Sequence, residues 1–291
     1  MTGICQGRSV IVTGAGQGLG RAHALEFARQ GASVLVNDIG PAAAEVAAEI
    51  VGTGGTAVAS AGDVSDWDYA DELVALAVRT FGGLDTLVNN AGLNRDRMLV
   101  NMSEQEWDLV LKVDLKGHFA PMRHAAGYWR DQARAGSPRA ARVVNTSSGA
   151  GLMGSVGQGN YAAAKAGIAT LTQIAAVEWA RYGVLVNAIA PSARTAMTEA
   201  VFAEAMAVPD SGFDRMHPAN VSPLVVWLGS DAAAGVTGRV FEMAGGELSL
   251  ADGWRHGVTR TLDRRWEVGE LGPAIRDILA EAAPATPVYG S

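Results

Sequence analysis

Short runs rich in valine and isoleucine alternate along the chain with longer stretches in which apolar residues recur every three or four positions. The short runs have the length and character of strands, and the longer periodic stretches those of helices. Strands are expected at Ser9–Val12, Ser33–Asn37, Thr56–Ser60, Thr86–Asn89, Arg142–Thr146, Leu185–Ala190 and Arg239–Met243. Helices are expected near Leu19–Gln30, Ala42–Val51, Trp67–Phe81, Ser103–Ala133, Gly159–Arg181 and Pro218–Leu228. Several strands are apolar on both faces, as a sheet covered by helices on each side requires. Strand–helix alternation with right-handed crossovers predicts an α/β fold, a doubly wound parallel sheet of seven strands.

Gly136-Ser137-Pro138 marks a loop before the fifth strand, and Val208-Pro209-Asp210-Ser211-Gly212 a break after the sixth. Beyond Gly245-Gly246 the alternation stops. A tail of about forty residues follows, carrying Trp254, Trp266, Pro273, Pro284 and Pro287, too short for a domain of its own. The expected organisation is a single α/β domain over 1–250 and an extension over 251–291 that packs on the core or on a neighbouring subunit.

Composition narrows the function classes. Of 291 residues, 48% are hydrophobic and only 18% charged, which implies much buried surface and argues against disorder. The net charge of −7 leaves no basic stripe for a nucleic acid backbone. Cys5 is the only cysteine and the five histidines are dispersed, so no metal site is expected. No apolar run approaches the ~20 residues needed to span a bilayer, and the N-terminus lacks a signal-peptide pattern, so a soluble cytoplasmic protein is expected.

Thr13-Gly14-Ala15-Gly16-Gln17-Gly18-Leu19-Gly20 follows the first strand and opens the first helix, where backbone N–H groups and the helix dipole can hold a pyrophosphate. Gly14, Gln17, Gly18 and Leu19 are the candidate contacts. Asp38 ends the second strand, where a carboxylate can accept from ribose hydroxyls and repel a 2′-phosphate; this predicts NAD over NADP. The competing reading is turn chemistry in Asn37-Asp38 before Gly40-Pro41. Asp63 and Val64 could bracket the adenine, with a turn or helix cap as the alternative for Asp63. Asn90, Ala91 and Gly92 close the fourth strand at the carboxyl edge of the sheet, where ligands of open α/β sheets bind. Ser148 precedes Tyr161 by thirteen residues (161 − 148), and Lys165 stands one helical turn beyond the tyrosine.

In this order and spacing, the glycine loop, Asn89-Asn90-Ala91-Gly92, Ser148 and the Tyr161-x-x-x-Lys165 pair resemble the short-chain dehydrogenase/reductase family over roughly residues 7–246. The resemblance implies a Rossmann-like domain and hydride transfer between a nicotinamide and an alcohol or ketone. It assigns Tyr161 as acid or base, Ser148 to the substrate oxygen, and Lys165 to the phenol and the nicotinamide ribose. A phenol alone is a poor base at neutral pH, so a nearby cation is a chemical necessity. Ser147 competes for the serine role, but the family's usual spacing favours Ser148.

Two departures from the family pattern stand out. Asp114 occupies the place of an asparagine that helps hold a water-linked proton relay behind the lysine; its alternative is an ion pair with Lys112 or Lys116. After the sixth strand, Pro191-Ser192-Ala193-Arg194-Thr195 replaces Pro-Gly and a following threonine, with Thr195 the best counterpart and Thr198 a second one.

Val36-Asn37-Asp38, Leu152-Met153-Gly154 and Ala190-Pro191-Ser192-Ala193 resemble the (3R)-hydroxyacyl-CoA dehydrogenase part of multifunctional β-oxidation enzymes and related bacterial 17β-hydroxysteroid dehydrogenases. The implied substrate is a bulky apolar alcohol, either an acyl-CoA or a steroid. Met98, Met102, Met153, Met197 and Met206 flank the positions expected to line its mouth, with plain core packing as the alternative for each. The helix from Tyr161 to Trp179 is apolar nearly all round, which predicts cover by a second copy in a homodimer or homotetramer, with cover by the chain's own tail as the alternative. The rival readings are a catalytically weak NAD-sensing protein and a scaffold subunit of the same fold.

Overall fold

The structure is a computed structural model that describes residues 3–195, 198, 206–251 and 253–289. Met197 lies outside these residues. Strands β1 (Ser9–Val12), β2 (Ser33–Asp38), β3 (Thr56–Ala61), β4 (Thr86–Asn89), β5 (Arg142–Thr146), β6 (Leu185–Ser192), β7 (Val240–Ala244) and β8 (Glu247–Ala251) form one sheet in the order β3-β2-β1-β4-β5-β6-β7-β8. Its helices include α1 (Gly18–Arg29), α2 (Ala42–Gly52), α3 (Trp67–Phe81), α4 (Glu104–Val110), α5 (Gly117–Arg134), α6 (Gly149–Met153) and α7 (Gly159–Trp179).

β1 to β7 are parallel, as expected, with ends moved by no more than two residues from the predicted ones. The expected count of seven strands is corrected to eight, because β8 returns antiparallel along β7, pairing Ala244 with Glu247. Gly245-Gly246 is the two-residue hairpin loop, and Gly245 has φ +61°, which an L side chain rarely adopts. The sequence pattern made this pair the end of regular structure, when it is a turn inside the sheet.

Alternate strand residues feed opposite faces. Val10, Val12, Val34, Val36 and Val88 pack under α1, α2 and the helix Ser222–Leu228, while Ile11, Leu35, Leu87 and Val143 pack under α3, α5 and α7. This two-sided burial is why the central strands read as continuous apolar runs.

The helix expected over Ser103–Ala133 is interrupted. A capping box between Ser103 and Glu106 starts α4, and Leu111–Lys116 forms a π-turn before α5. The wider π-turn changes which residues face the sheet, and Asp114 lies fully buried within it. The helix expected over Pro218–Leu228 begins as a 3-10 turn, Pro218–Asn220, and becomes α-helical only at Ser222. The tail also holds an unforeseen helix, Val268–Glu281, with Pro273 in its second turn, where one backbone hydrogen bond is forgone. The tail then returns to its own body: Tyr289 N–H donates to Gly154 O at 3.2 Å and Val156 N–H to Tyr289 O at 2.9 Å.

Among the described residues no helix is long and apolar enough to cross a membrane, and no group of three or more His, Cys, Asp or Glu is placed to hold a metal ion.

His23 of α1 is fully buried, with Nδ1 2.9 Å from Ser222 Oγ, and burial pushes its pKa down to about 3. The folded-state value thus lies below the unfolded one. Stability tied to neutral His23 is complete above the ordinary histidine pKa and is lost as pH falls toward the folded value. Urea unfolding measured from pH 7 to 5 should show a fall of up to about 1.4 kcal/mol per pH unit from this group. His23→Gln should make that slope shallower; an unchanged slope would remove His23 as its source.

Candidate active site

β1 and β4 are neighbours although the chain passes through β2 and β3 between them, and a cleft of about 490 Å³ opens at the carboxyl ends of the strands around this switch point. Gly14, Gln17, Gly18, Leu19, Asp38, Asp63, Val64, Asn90, Ala91, Gly92, Ser148, Tyr161, Lys165, Pro191 and Thr195 all line it, and so does Thr198. Of the candidate catalytic and cofactor-binding residues, Asp114 does not, because it lies beneath Gly92: a Cβ on that glycine would come within 3.0 Å of Asp114 Oδ2.

The loops after β1 and β4 are tied together. Thr13 Oγ1 accepts from the N–H groups of Asn90 and Ala91, and the Asn90 amide donates to the carbonyls of Thr13 and Gly14 at 3.0 and 3.1 Å. Gly14 has φ +60°, and a Cβ there would meet Ala91 Cα at 2.7 Å, so close approach and conformation both require glycine. Gln17, at the N-cap of α1, places no side-chain cap on the first turn, which also holds no acidic residue. The leading N–H groups of α1 therefore suit an anion at the cleft.

Asp38 accepts from Gly16 N–H at 2.9 Å and from Gly40 N–H at 3.4 Å, so it braces the turn and lines the cleft at once. Asp63 lines the cleft and serves a turn as well. It accepts from the N–H and hydroxyl of Ser65 and pairs with Lys112 at 3.3 Å. Partial burial pushes its pKa up, but these partners outweigh that and hold it below the usual carboxylate value.

β5 delivers the two serines. Ser147 is buried and donates to Lys165 O at 2.8 Å, bolting β5 to α7. Ser148 is half-buried and accepts from Ala150 N–H at 3.2 Å, at the start of α6. Tyr161 and Lys165 lie one turn apart on α7, with Lys165 Nζ 5.4 Å from the centroid of the Tyr161 ring. The ammonium donates to Thr146 O at 3.0 Å and stands 3.2 Å from Asp114 Oδ2.

Asp114 thus pairs with Lys165, and neither expected alternative holds, since Lys112 is taken by Asp63. Asp114 Oδ1 accepts from Leu93 N–H at 2.8 Å, whereas Oδ2 has no aligned hydrogen-bond donor and meets Lys165 as an ion pair. Burial raises the Asp114 pKa despite the cation. Burial pushes Lys165 down, but Asp114 and Tyr161 more than offset this and hold it above the usual lysine value.

Sequence reasoning did not single out Thr146, Gln158 or Asn94, which also line the cleft, or His118, buried behind Lys165. His118 stands four residues after Asp114, a helical spacing that was there to be found. None of the described methionines lines the cleft: Met206 is buried and Met98 is 54% exposed.

With fold and cleft in place, the class follows. The chain belongs to the short-chain dehydrogenase family, whose model, described as short chain dehydrogenase, matches residues 8–205. It is an oxidoreductase of a family that typically uses a nicotinamide cofactor. It is 49% identical to the hydroxyacyl-CoA dehydrogenase ChsB1 of Mycobacterium tuberculosis, across 96% of this chain and 90% of that one. It is 40% identical to the peroxisomal multifunctional enzyme type 2 of Mus musculus, across 85% of this chain but only 32% of that enzyme, so it spans about a third of that relative. A short chain dehydrogenase from Mycobacterium avium, known from a crystal structure, is 58% identical with a TM-score of 0.92, covering 99% of this chain and 100% of that one.

Proposed function

We propose that this chain is an NAD-dependent dehydrogenase that interconverts the 3-hydroxy and 3-keto forms of an acyl-CoA thioester. One observation carries the chemistry: Ser148, Tyr161 and Lys165 meet in the same cleft as the glycine loop and Asp38. The name of the Mycobacterium tuberculosis relative, a hydroxyacyl-CoA dehydrogenase, supports the choice of an acyl-CoA over a steroid alcohol.

In this reading the first turn of α1 binds the pyrophosphate, and the Asp38 carboxylate accepts from the adenosine ribose and repels a 2′-phosphate. Val64, with Asp63 beside it, would hold the adenine, and Asn90, Ala91, Gly92, Pro191 and Thr195 would hold the nicotinamide end. The nicotinamide, when bound, accepts or supplies the hydride. Tyr161 takes the proton from the alcohol oxygen or returns it to the ketone oxygen, and Ser148 Oγ donates to that oxygen as charge develops there. Lys165, kept cationic by Asp114, sets its charge beside the Tyr161 ring and would hold the nicotinamide ribose.

The test is a screen of 3-hydroxyacyl-CoAs, steroid alcohols and simple secondary alcohols, followed by NADH absorbance. Turnover of the acyl-CoAs is expected; no turnover of any alcohol would overturn the reading, and steroid turnover alone would overturn the substrate. Asp38→Ala should raise the NADPH-to-NADH activity ratio roughly ten-fold or more, the worth of a lost charged hydrogen bond. An unchanged ratio would take Asp38 out of the ribose role.

We read the assembly as a homodimer or homotetramer. Ile174 and Val177 of α7 are 47% and 80% exposed, and the tail helix leaves Val268, Leu271, Ile275 and Leu279 exposed. Apolar surface of this kind is what a second copy covers. Residues 251–291 are taken as an extension of the single nucleotide-binding domain, and the cytoplasm as its place.

A further inference from the structure

Thr146 is the last residue of β5, and β4, its neighbour on one side, has already ended at Asn89, which pairs with Asn145. The N–H of the next residue, Ser147, is bonded to Ile189 O of β6 at 2.7 Å. Successive strand residues direct their backbone groups to opposite sides, so the N–H and C=O of Thr146 both face the side that β4 has left. Buried backbone groups need partners, and two side chains supply them. His118 Nε2 accepts the Thr146 N–H at 3.4 Å, and Lys165 Nζ donates to the Thr146 carbonyl at 3.0 Å. His118 is itself buried, and its carbonyl accepts from the Asn89 amide at 3.3 Å, which closes the group onto β4. Together His118 and Lys165 stand in for the missing strand.

We propose that His118 is a positioning residue for Lys165: as a neutral imidazole accepting the Thr146 N–H, it fixes the backbone carbonyl on which the Lys165 ammonium docks. The proposal rests on the functional reading above only in that Lys165 must serve the reaction. An Nε2 acceptor requires the proton on Nδ1. A protonated ring would lose that acceptor and place a second cation beside Lys165. The charge that acts on His118 among the described residues is that of Lys165 from α7; Asp114, Asn89 and Thr146 meet the ring through their backbones, which favours the charged form, and β4 and β5 present the uncharged side chains of Asn89, Asn145 and Thr146. Burial, and after it the Lys165 charge, pushes the His118 pKa well below the ordinary histidine value, which keeps the ring neutral as the geometry demands.

Two variants separate positioning from space filling. His118→Leu keeps apolar bulk but has no acceptor, whereas His118→Gln carries an acceptor oxygen at about the reach of Nε2. For His118→Leu, kcat is expected to fall about ten-fold or more while the KM of the alcohol moves less than about three-fold; His118→Gln should recover most of the loss. Full activity of the leucine variant, or equal loss in both, overturns the proposal. Should the leucine variant not fold, imidazole nitrogen resonances of the wild-type protein decide: a neutral, Nδ1-protonated His118 from pH 5 to 8 supports the proposal, and an Nε2-protonated or charged ring overturns it. That measurement needs no turnover, so a wild-type protein inactive on every alcohol would count against the functional reading alone.

Discussion

Tyr161→Phe is expected to lower kcat by about 10²–10⁴-fold, the usual worth of a positioned acid or base, with NADH binding still measurable by fluorescence. The substitution removes only the hydroxyl. The ring keeps its place on α7, and Lys165 keeps Thr146 O and Asp114 as partners. A loss confined to turnover is therefore the signature of a lost proton carrier, and a misplaced cofactor would instead weaken NADH binding. Undiminished turnover would displace Tyr161 from the reaction and leave Ser148 and Lys165 without a common purpose.

The second large effect concerns stability. Asp114 is completely buried and Lys165 nearly so, and the two stand 3.2 Å apart. Removing one member of a buried pair strands the other charge, so Asp114→Ala should lower the unfolding free energy by about 3–5 kcal/mol in urea titrations. Asp114→Asn should cost less than the alanine variant, because its single amide oxygen can still accept from Leu93 N–H or lie beside the ammonium, the two tasks that separate oxygens of Asp114 perform. A loss below about 1 kcal/mol in the alanine variant would mean that water already reaches Lys165, since only a solvated cation tolerates the loss of its counter-charge so cheaply.

The seven parallel strands were legible because two-sided burial writes continuous apolar runs, and the site residues because glycine turns and a Tyr-x-x-x-Lys spacing are local patterns. The glycine loop, Asp38, Asn90-Ala91-Gly92, Ser148, Tyr161 and Lys165 share one cleft. Asp114 was legible as a departure but not in its partner: Lys112, Lys116 and Lys165 were all open to it until the π-turn over Leu111–Lys116 turned it inward. No local pattern marks an i→i+5 turn. The hairpin at Gly245-Gly246 was misread because two glycines end an element as readily as they reverse a strand.

By itself the sequence determined the α/β alternation, the glycine loop at the first βα turn, and the chemistry available to Ser148, Tyr161 and Lys165, since each depends on residues close together in the chain. Only the tertiary structure decided which of two serines is committed to a backbone carbonyl, which lysine neutralises Asp114, and that His118 replaces an absent strand beside Thr146. Those outcomes depend on where separate elements end relative to one another. That is a property of packing between distant segments, and no spacing along one segment encodes it.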